Sequence, residues 1–129
     1  MMCDLDMLCD THYRVGMTWD DHLRTHLQEL RRGTVVVASL AALRRPGYGY
    51  GLLQTLADAG VAVDANTLYP LLRRLEDQGL LTSDWDTTEA RPRKVYRTSR
   101  DGERMLAALV DDLTAVRTSL ETLTEGDPA

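Results

Sequence analysis

The chain has 129 residues, 43% of them hydrophobic and only 5% aromatic, with a formal charge of −5. That length suits one modest, mainly helical core; no apolar run approaches the roughly 18 residues that cross a bilayer, and the acidic start lacks the basic region and apolar core of a signal peptide, so a cytoplasmic protein is expected. The acidity sits at the ends: residues 1–30 hold two basic and six acidic side chains and residues 101–129 two and seven, whereas residues 31–100 hold eleven basic and seven acidic, a basic centre suited to a polyanionic partner.

Residues 1–17 show no period and read as an N-terminal arm. Cys3 and Cys9 in this arm suit free thiols in a reducing compartment better than a structural bridge. With His12, His22 and His26 they invite a metal-sensing or thiol-sensing reading, since His22 and His26 stand at i, i+4. No recognised ligand pattern links them, so neither a metal nor a cofactor is assigned. Thr18, followed by Asp20 and Asp21, predicts a helix start in which a side chain and the helix dipole favour the first turn. That helix is expected to bury Leu23, Leu27 and Leu30, then Val36, Leu40 and Leu43. Gly33 and the β-branched run Val35-Val36-Val37 predict a break near position 33. After Arg44-Arg45-Pro46-Gly47, a short helix from Tyr48 turns Leu52, Leu53 and Leu56 inward and stops at Gly60.

Asp64 predicts the next helix start. At 100° per residue, Leu68, Leu71, Leu72 and Leu75 share one arc, while Asn66, Tyr69, Pro70, Arg73 and Asp77 take the other. A helix that buries one side and offers amide, phenol and guanidinium groups on the other can present them to base edges and phosphates. The same pattern also fits an ordinary solvated face. Pro70 removes a backbone donor and is expected to loosen or bend the first turn, and Gly79 is the stop.

Leu80–Asp86 and Arg93–Thr98 alternate as two strands of a hairpin. Between them lies a polar loop, and Arg91, Arg93 and Lys94 at its end give a basic tip that can follow a phosphate backbone or enter a minor groove. Thr98 or Ser99 caps a last helix carrying Leu106, Leu109, Leu113, Val116, Leu120 and Leu123. Spacings that alternate three and four are the signature of a seam between helices. The seam fits either the first helix of the same subunit or a second copy; a dimer is favoured because such readers use two half-sites about one DNA turn apart.

These parts fix the expected fold class: mainly α with a small β-hairpin, a winged helix-turn-helix over residues 18–99 and a long dimerisation helix over 100–124, then a tail over 125–129. Over roughly residues 30–123 the chain resembles the PadR family of transcriptional regulators, in its short branch with a single C-terminal helix. The resemblance rests on Tyr48-Gly49-Tyr50-x-Leu52, on Thr67-Leu68-Tyr69-Pro70-Leu71-Leu72-x-Arg74-Leu75-Glu76-x-x-Gly79-Leu80, and on Pro92-Arg93-Lys94-x-Tyr96 with Gly102. It implies a recognition helix over about 65–78, a homodimer held by its first and last helices through Leu23, Leu27, Leu30 and the seam residues, and repression of an inverted-repeat operator relieved by a small molecule or other signal. It makes Tyr50 an expected backbone contact and Asn66, Thr67, Tyr69, Arg73, Arg93 and Lys94 candidate DNA contacts, and Tyr48, Pro70 and the wing's Arg91 are taken as candidates beside them. Tyr69 also suits core packing, and Tyr96 is read as structural.

Thr98-Ser99 departs from the family's usual Leu-Thr, keeping a cap but losing an apolar anchor. The last helix lacks the aromatic residue with which some short-branch members hold flat aromatic ligands, for Trp85 belongs to the wing and Trp19 to the first helix. Two other classes stand beside the DNA reader. A winged helix used only to dock a partner protein is the first; an enzyme is the second, and it finds no nucleophile with a base, no phosphate loop and no supported metal site in this sequence.

Overall fold

Three of the described helices begin where a side chain, that of Thr18, Asp64 or Ser99, replaces a missing backbone partner. The computed structural model describes residues 18–126. Helix α1 (Trp19–Arg31) opens on a capping box in which Thr18 accepts from the Asp21 amide and the Asp21 carboxylate accepts from the Thr18 amide. Helix α2 (Thr34–Ala42) follows after a break at Arg32 and Gly33, where the sequence predicts one. The chain divides into two compact units at that point, residues 1–32 and 33–129. The expected arm over 1–17, with Cys3, Cys9 and His12, and the last three residues of the tail lie outside the described residues.

Within the second unit, strand β1 (Gly47–Tyr48) leads into helix α3 (Gly49–Asp58), followed by helix α4 (Ala65–Asp77), strands β2 (Leu81–Asp86) and β3 (Arg93–Thr98), and helix α5 (Arg100–Glu125). Gly60 and Gly79 adopt positive φ, 91° and 77°, and the amides of Val61 and Leu80 reach back to the carbonyls of Leu56 and Leu75. Glycine tolerates this left-handed turn without a Cβ clash, which ends α3 and α4. The three strands form an antiparallel sheet in the order β1-β3-β2, with Tyr48 opposite Val95 and Asp86 opposite Arg93. The expected hairpin is therefore present with a third, two-residue strand on its edge. Tyr48 belongs to that strand and is the N-cap residue of α3 rather than part of the helix.

The core lies in this second unit. Leu68, Leu71, Leu72 and Leu75 of α4 are all buried, as their spacing predicts, beside Leu40, Leu43, Leu52, Leu56, Leu81, Tyr96 and Leu106. Val35 rather than Val36 is buried on α2, and Val36 and Leu53 pack on the core half-buried. The expectation that Leu23, Leu27 and Leu30 are buried is not met, since α1 contains no buried residue.

The junction between wing and last helix is tight. Thr98 is buried, and its hydroxyl donates to the Leu40 carbonyl at 2.7 Å while its amide donates to the Leu43 carbonyl at 2.7 Å. Where an apolar anchor was expected to be lost, hydrogen bonding takes its place. Ser99 caps α5 by accepting from the Gly102 amide at 3.0 Å, and its hydroxyl donates to the Gly79 carbonyl at 2.6 Å. A Cβ on Gly102 would stand 2.1 Å from the Leu80 carbonyl oxygen, so only glycine allows this approach of helix to strand.

Candidate nucleic-acid interface

The apolar arc of α4 anchors it so firmly that its other arc is fixed in direction. Asp64 accepts from the Thr67 amide at 2.8 Å and sets the start of the helix, which then runs unbroken through Pro70 to Asp77. The exposed arc presents Asn66, Thr67, Pro70 and Arg73 to solvent. Arg73 makes no ion pair or hydrogen bond among the described residues, so its guanidinium is available to an external partner.

Tyr69 divides its duties. Its ring packs half-buried on the core and lies so close to α3 that a Cβ on Gly49 would come within 2.5 Å of it. Its hydroxyl has no partner among the described residues. Tyr96, by contrast, is buried and structural, as its sequence context suggests.

The wing is more internally engaged than the sequence indicates. Lys94 Nζ lies 2.9 Å from the Glu76 carboxylate and 5.3 Å from the centre of the Tyr96 ring. Ser83 also donates to Glu76. These partners hold the Glu76 carboxyl below its ordinary value of 4.5, with the Ser83 hydroxyl the larger cause and Lys94 next, and the Glu76 carboxylate raises Lys94. Lys94, read from sequence as a phosphate contact, thus ties the wing to α4.

Arg93 lies over Tyr48, its guanidinium carbon 4.3 Å from the ring centre, and donates to the Tyr50 hydroxyl. Its other terminal nitrogen is 3.0 Å from Glu89. Tyr48 donates to Asp86, which also accepts from the Thr88 amide and hydroxyl at 3.0 and 2.7 Å. The Tyr48 bond, ahead of the two from Thr88, brings the Asp86 carboxyl down to about 2, and the same bond raises the Tyr48 phenol. Arg91 is exposed and unpaired among the described residues.

The structure thus brings Tyr48, Tyr50 and Arg93 together at the base of the wing and places Asn66, Thr67, Pro70 and Arg73 on the outer arc of α4. Glu76, Asp86 and Glu89 are acid partners of Lys94, Tyr48 and Arg93 to which the sequence alone assigns no role. The signal available for them was weak: together with Asp77 and Asp84 they make an acidic stretch between Arg74 and Arg91 in which nothing marks these three out. Among the described residues no three His, Cys, Asp or Glu side chains converge as a metal site, and no helix is long and apolar enough to cross a membrane.

Helices α3 and α4 joined by a turn and followed by the hairpin β2-β3, with β1 on its edge, define a winged helix-turn-helix. The comparisons carry this to the family. Residues 37–108 match the Transcriptional regulator PadR-like family, and the chain belongs to it. The crystal structure of a PadR family transcriptional regulator from Eggerthella lenta is 46% identical and superposes with a TM-score of 0.83, covering 86% of this chain and 99% of that one. A PadR-like transcriptional regulator from Bacillus cereus is 24% identical at a TM-score of 0.67, covering 77% of this chain and 99% of that one, a likeness that shows the fold. The transcriptional regulator Rv3488 of Mycobacterium tuberculosis is 42% identical over 69 residues, 54% of this chain; the match spans 62% of that relative's length. The protein is a PadR-family transcriptional regulator, in a family of regulators rather than enzymes.

Proposed function

We propose that this protein is a homodimeric, sequence-specific repressor that reads an inverted-repeat operator and leaves it when a small molecule or other signal binds. The observation that carries the reading is the exposed arc of α4, where Asn66, Thr67, Pro70 and the unpaired Arg73 stand on a helix whose opposite arc is wholly buried. Such a helix enters a major groove, with Arg73 suited to the acceptor pair of guanine. Tyr69 offers its free hydroxyl beside them.

The wing takes the adjacent backbone. Arg91 and Arg93 meet phosphates, Tyr48 and Tyr50 orient Arg93, and Lys94 contributes by holding the wing against α4 through Glu76. Dimerisation is supported by Leu113, Val116, Leu120 and Leu123, an exposed apolar stripe on α5, and by the exposed Leu23, Leu27 and Leu30 of α1. Leu106 contributes to the core instead, and Leu109 packs half-buried against it, so the seam available to a second copy begins at Leu113.

Selection of a randomised duplex pool by the purified full chain near physiological salt, with sequencing of the retained fraction, tests the reading. An enriched inverted repeat with half-sites about one turn apart is expected. No enrichment by the folded protein would instead favour a winged helix that docks a partner protein. Release of the enriched duplex on adding a compound would identify the signal.

A further inference from the structure

Arg93 differs from its neighbours in being part of a built cation site. Tyr48 and Tyr50 stack with centres 5.6 Å apart and planes 12° from parallel, and the guanidinium carbon lies 4.3 and 5.5 Å from the two ring centres. One terminal nitrogen donates to the Tyr50 hydroxyl, and Nε is buried without a partner. The Tyr48 bond to Asp86, and the Asp86 bonds to Thr88, fix this scaffold to the root of the wing loop. Only the remaining terminal nitrogen faces a carboxylate, that of Glu89 at 3.0 Å, on the exposed loop four residues earlier.

We propose that Glu89 occupies, in the free protein, the seat that a DNA backbone phosphate takes in the complex, so that the wing engages by exchanging an internal carboxylate for a phosphate. The proposal rests on the preceding reading that the wing meets DNA. Carboxylate and phosphate both offer a guanidinium a pair of anionic acceptor oxygens. The Glu89 side chain is 64% exposed, and an exposed pair of this kind is weak, so it opens readily. The tyrosine stack and the Tyr50 bond stay in place during the exchange, and the guanidinium meets the phosphate already oriented. Until a duplex arrives, Glu89 offsets the positive charge of Arg93 and competes with incidental anions.

Removing any acid near DNA strengthens binding through bulk charge, so the test must separate that effect from the exchange. Binding of the full chain to a labelled random-sequence duplex of about 30 base pairs, long enough for two half-sites, is measured at low salt. Four proteins are compared with the wild type: Glu89→Gln, Asp84→Asn, Arg93→Gln, and Glu89→Gln with Arg93→Gln. Asp84 is exposed on the neighbouring strand and has no ion pair among the described residues.

Glu89→Gln is expected to tighten binding about two- to fivefold, the range of an exposed ion pair. Asp84→Asn should fall short of that, and the gain should vanish when Arg93 is already glutamine. An equal gain from Asp84→Asn, or an undiminished gain without Arg93, would overturn the exchange in favour of bulk charge. No gain from Glu89→Gln in a protein that binds DNA would overturn the exchange while leaving the DNA reading intact. If the folded wild type and Glu89→Gln both fail to hold duplex at low salt, the DNA reading falls and the exchange falls with it.

Discussion

The Lys94 ammonium stands 2.9 Å from the Glu76 carboxylate, joining wing strand β3 to helix α4 across 18 residues of sequence. Both side chains are about 30% exposed, so the pair is partly shielded from solvent. The two surfaces proposed to meet one duplex are thereby held at one angle.

Replacing Glu76 with Gln is expected to lower stability by about 1 kcal/mol at neutral pH. The folded carboxyl titrates below its unfolded value of 4.5, so its contribution is present above that value and is lost as pH falls through the folded one. Lys94 is raised, and its contribution is present below 10.5 and lost as pH rises past the folded value. Urea unfolding of wild type and variant should therefore differ at pH 7 and converge in acid. A difference that persists undiminished at about pH 3 would contradict the pairing.

Asp86 behaves differently because its largest partner is a neutral phenol. With its carboxyl at about 2, its contribution is present above the ordinary 3.8 and is lost only as pH approaches the folded value. Tyr48→Phe should return the carboxyl toward 3.8, read by side-chain NMR titration. An unmoved titration would show that Thr88 alone holds it.

Arg73→Ala should weaken operator binding by about 1–3 kcal/mol and relax preference at one base step. Its melting temperature should match the wild type, because the side chain makes no ion pair or hydrogen bond among the described residues. Loss of binding together with stability would point to misfolding rather than lost readout.

A methyl group at position 102 has nowhere to go. Gly102→Ala is expected to cost about 1–3 kcal/mol, the range of overpacked sites, because its Cβ would meet the Leu80 carbonyl at 2.1 Å and the Thr98 methyl at 2.7 Å. Denaturant unfolding measures it, and an unchanged midpoint would show that α5 slides freely against β2.

Leu106 and Leu113 test where the subunit ends and the seam begins. Leu106 is 9% exposed and Leu113 44%. Leu106→Ala should cost about 2–5 kcal/mol of subunit stability, whereas Leu113→Asp should leave the subunit folded and convert a dimer to a monomer in analytical ultracentrifugation. A wild type that is monomeric at micromolar concentration would remove the dimer from the proposal.

What could be read from sequence was local. Thr18, Asp64 and Ser99 reveal helix starts because a cap and the amide it satisfies lie within three residues, and the four leucines of α4 declare a buried arc through their spacing alone. Strand β1 escaped because two residues carry no period. The Lys94 pair escaped for a related reason: a cation near a wing tip reads as a phosphate contact, and its ion pair is visible only once the fold brings Glu76 to it. The leucine repeat of α5 continues without a fault from Leu106 to Leu123, yet its first members belong to the core, a boundary set by where α2 and the sheet lie against the helix.

Ser99 alone separates the last wing residue, Thr98, from α5, and both flanks are bonded to neighbouring backbone. No slack remains at that joint. At 26 residues, α5 is a lever of about 39 Å, and a tilt of about 5° at its far end would carry that end about 3.4 Å, close to one base step along a strand. In the proposed dimer, whatever grips the exposed end of α5 therefore sets the separation of the two reading heads to within the dimension of a single nucleotide.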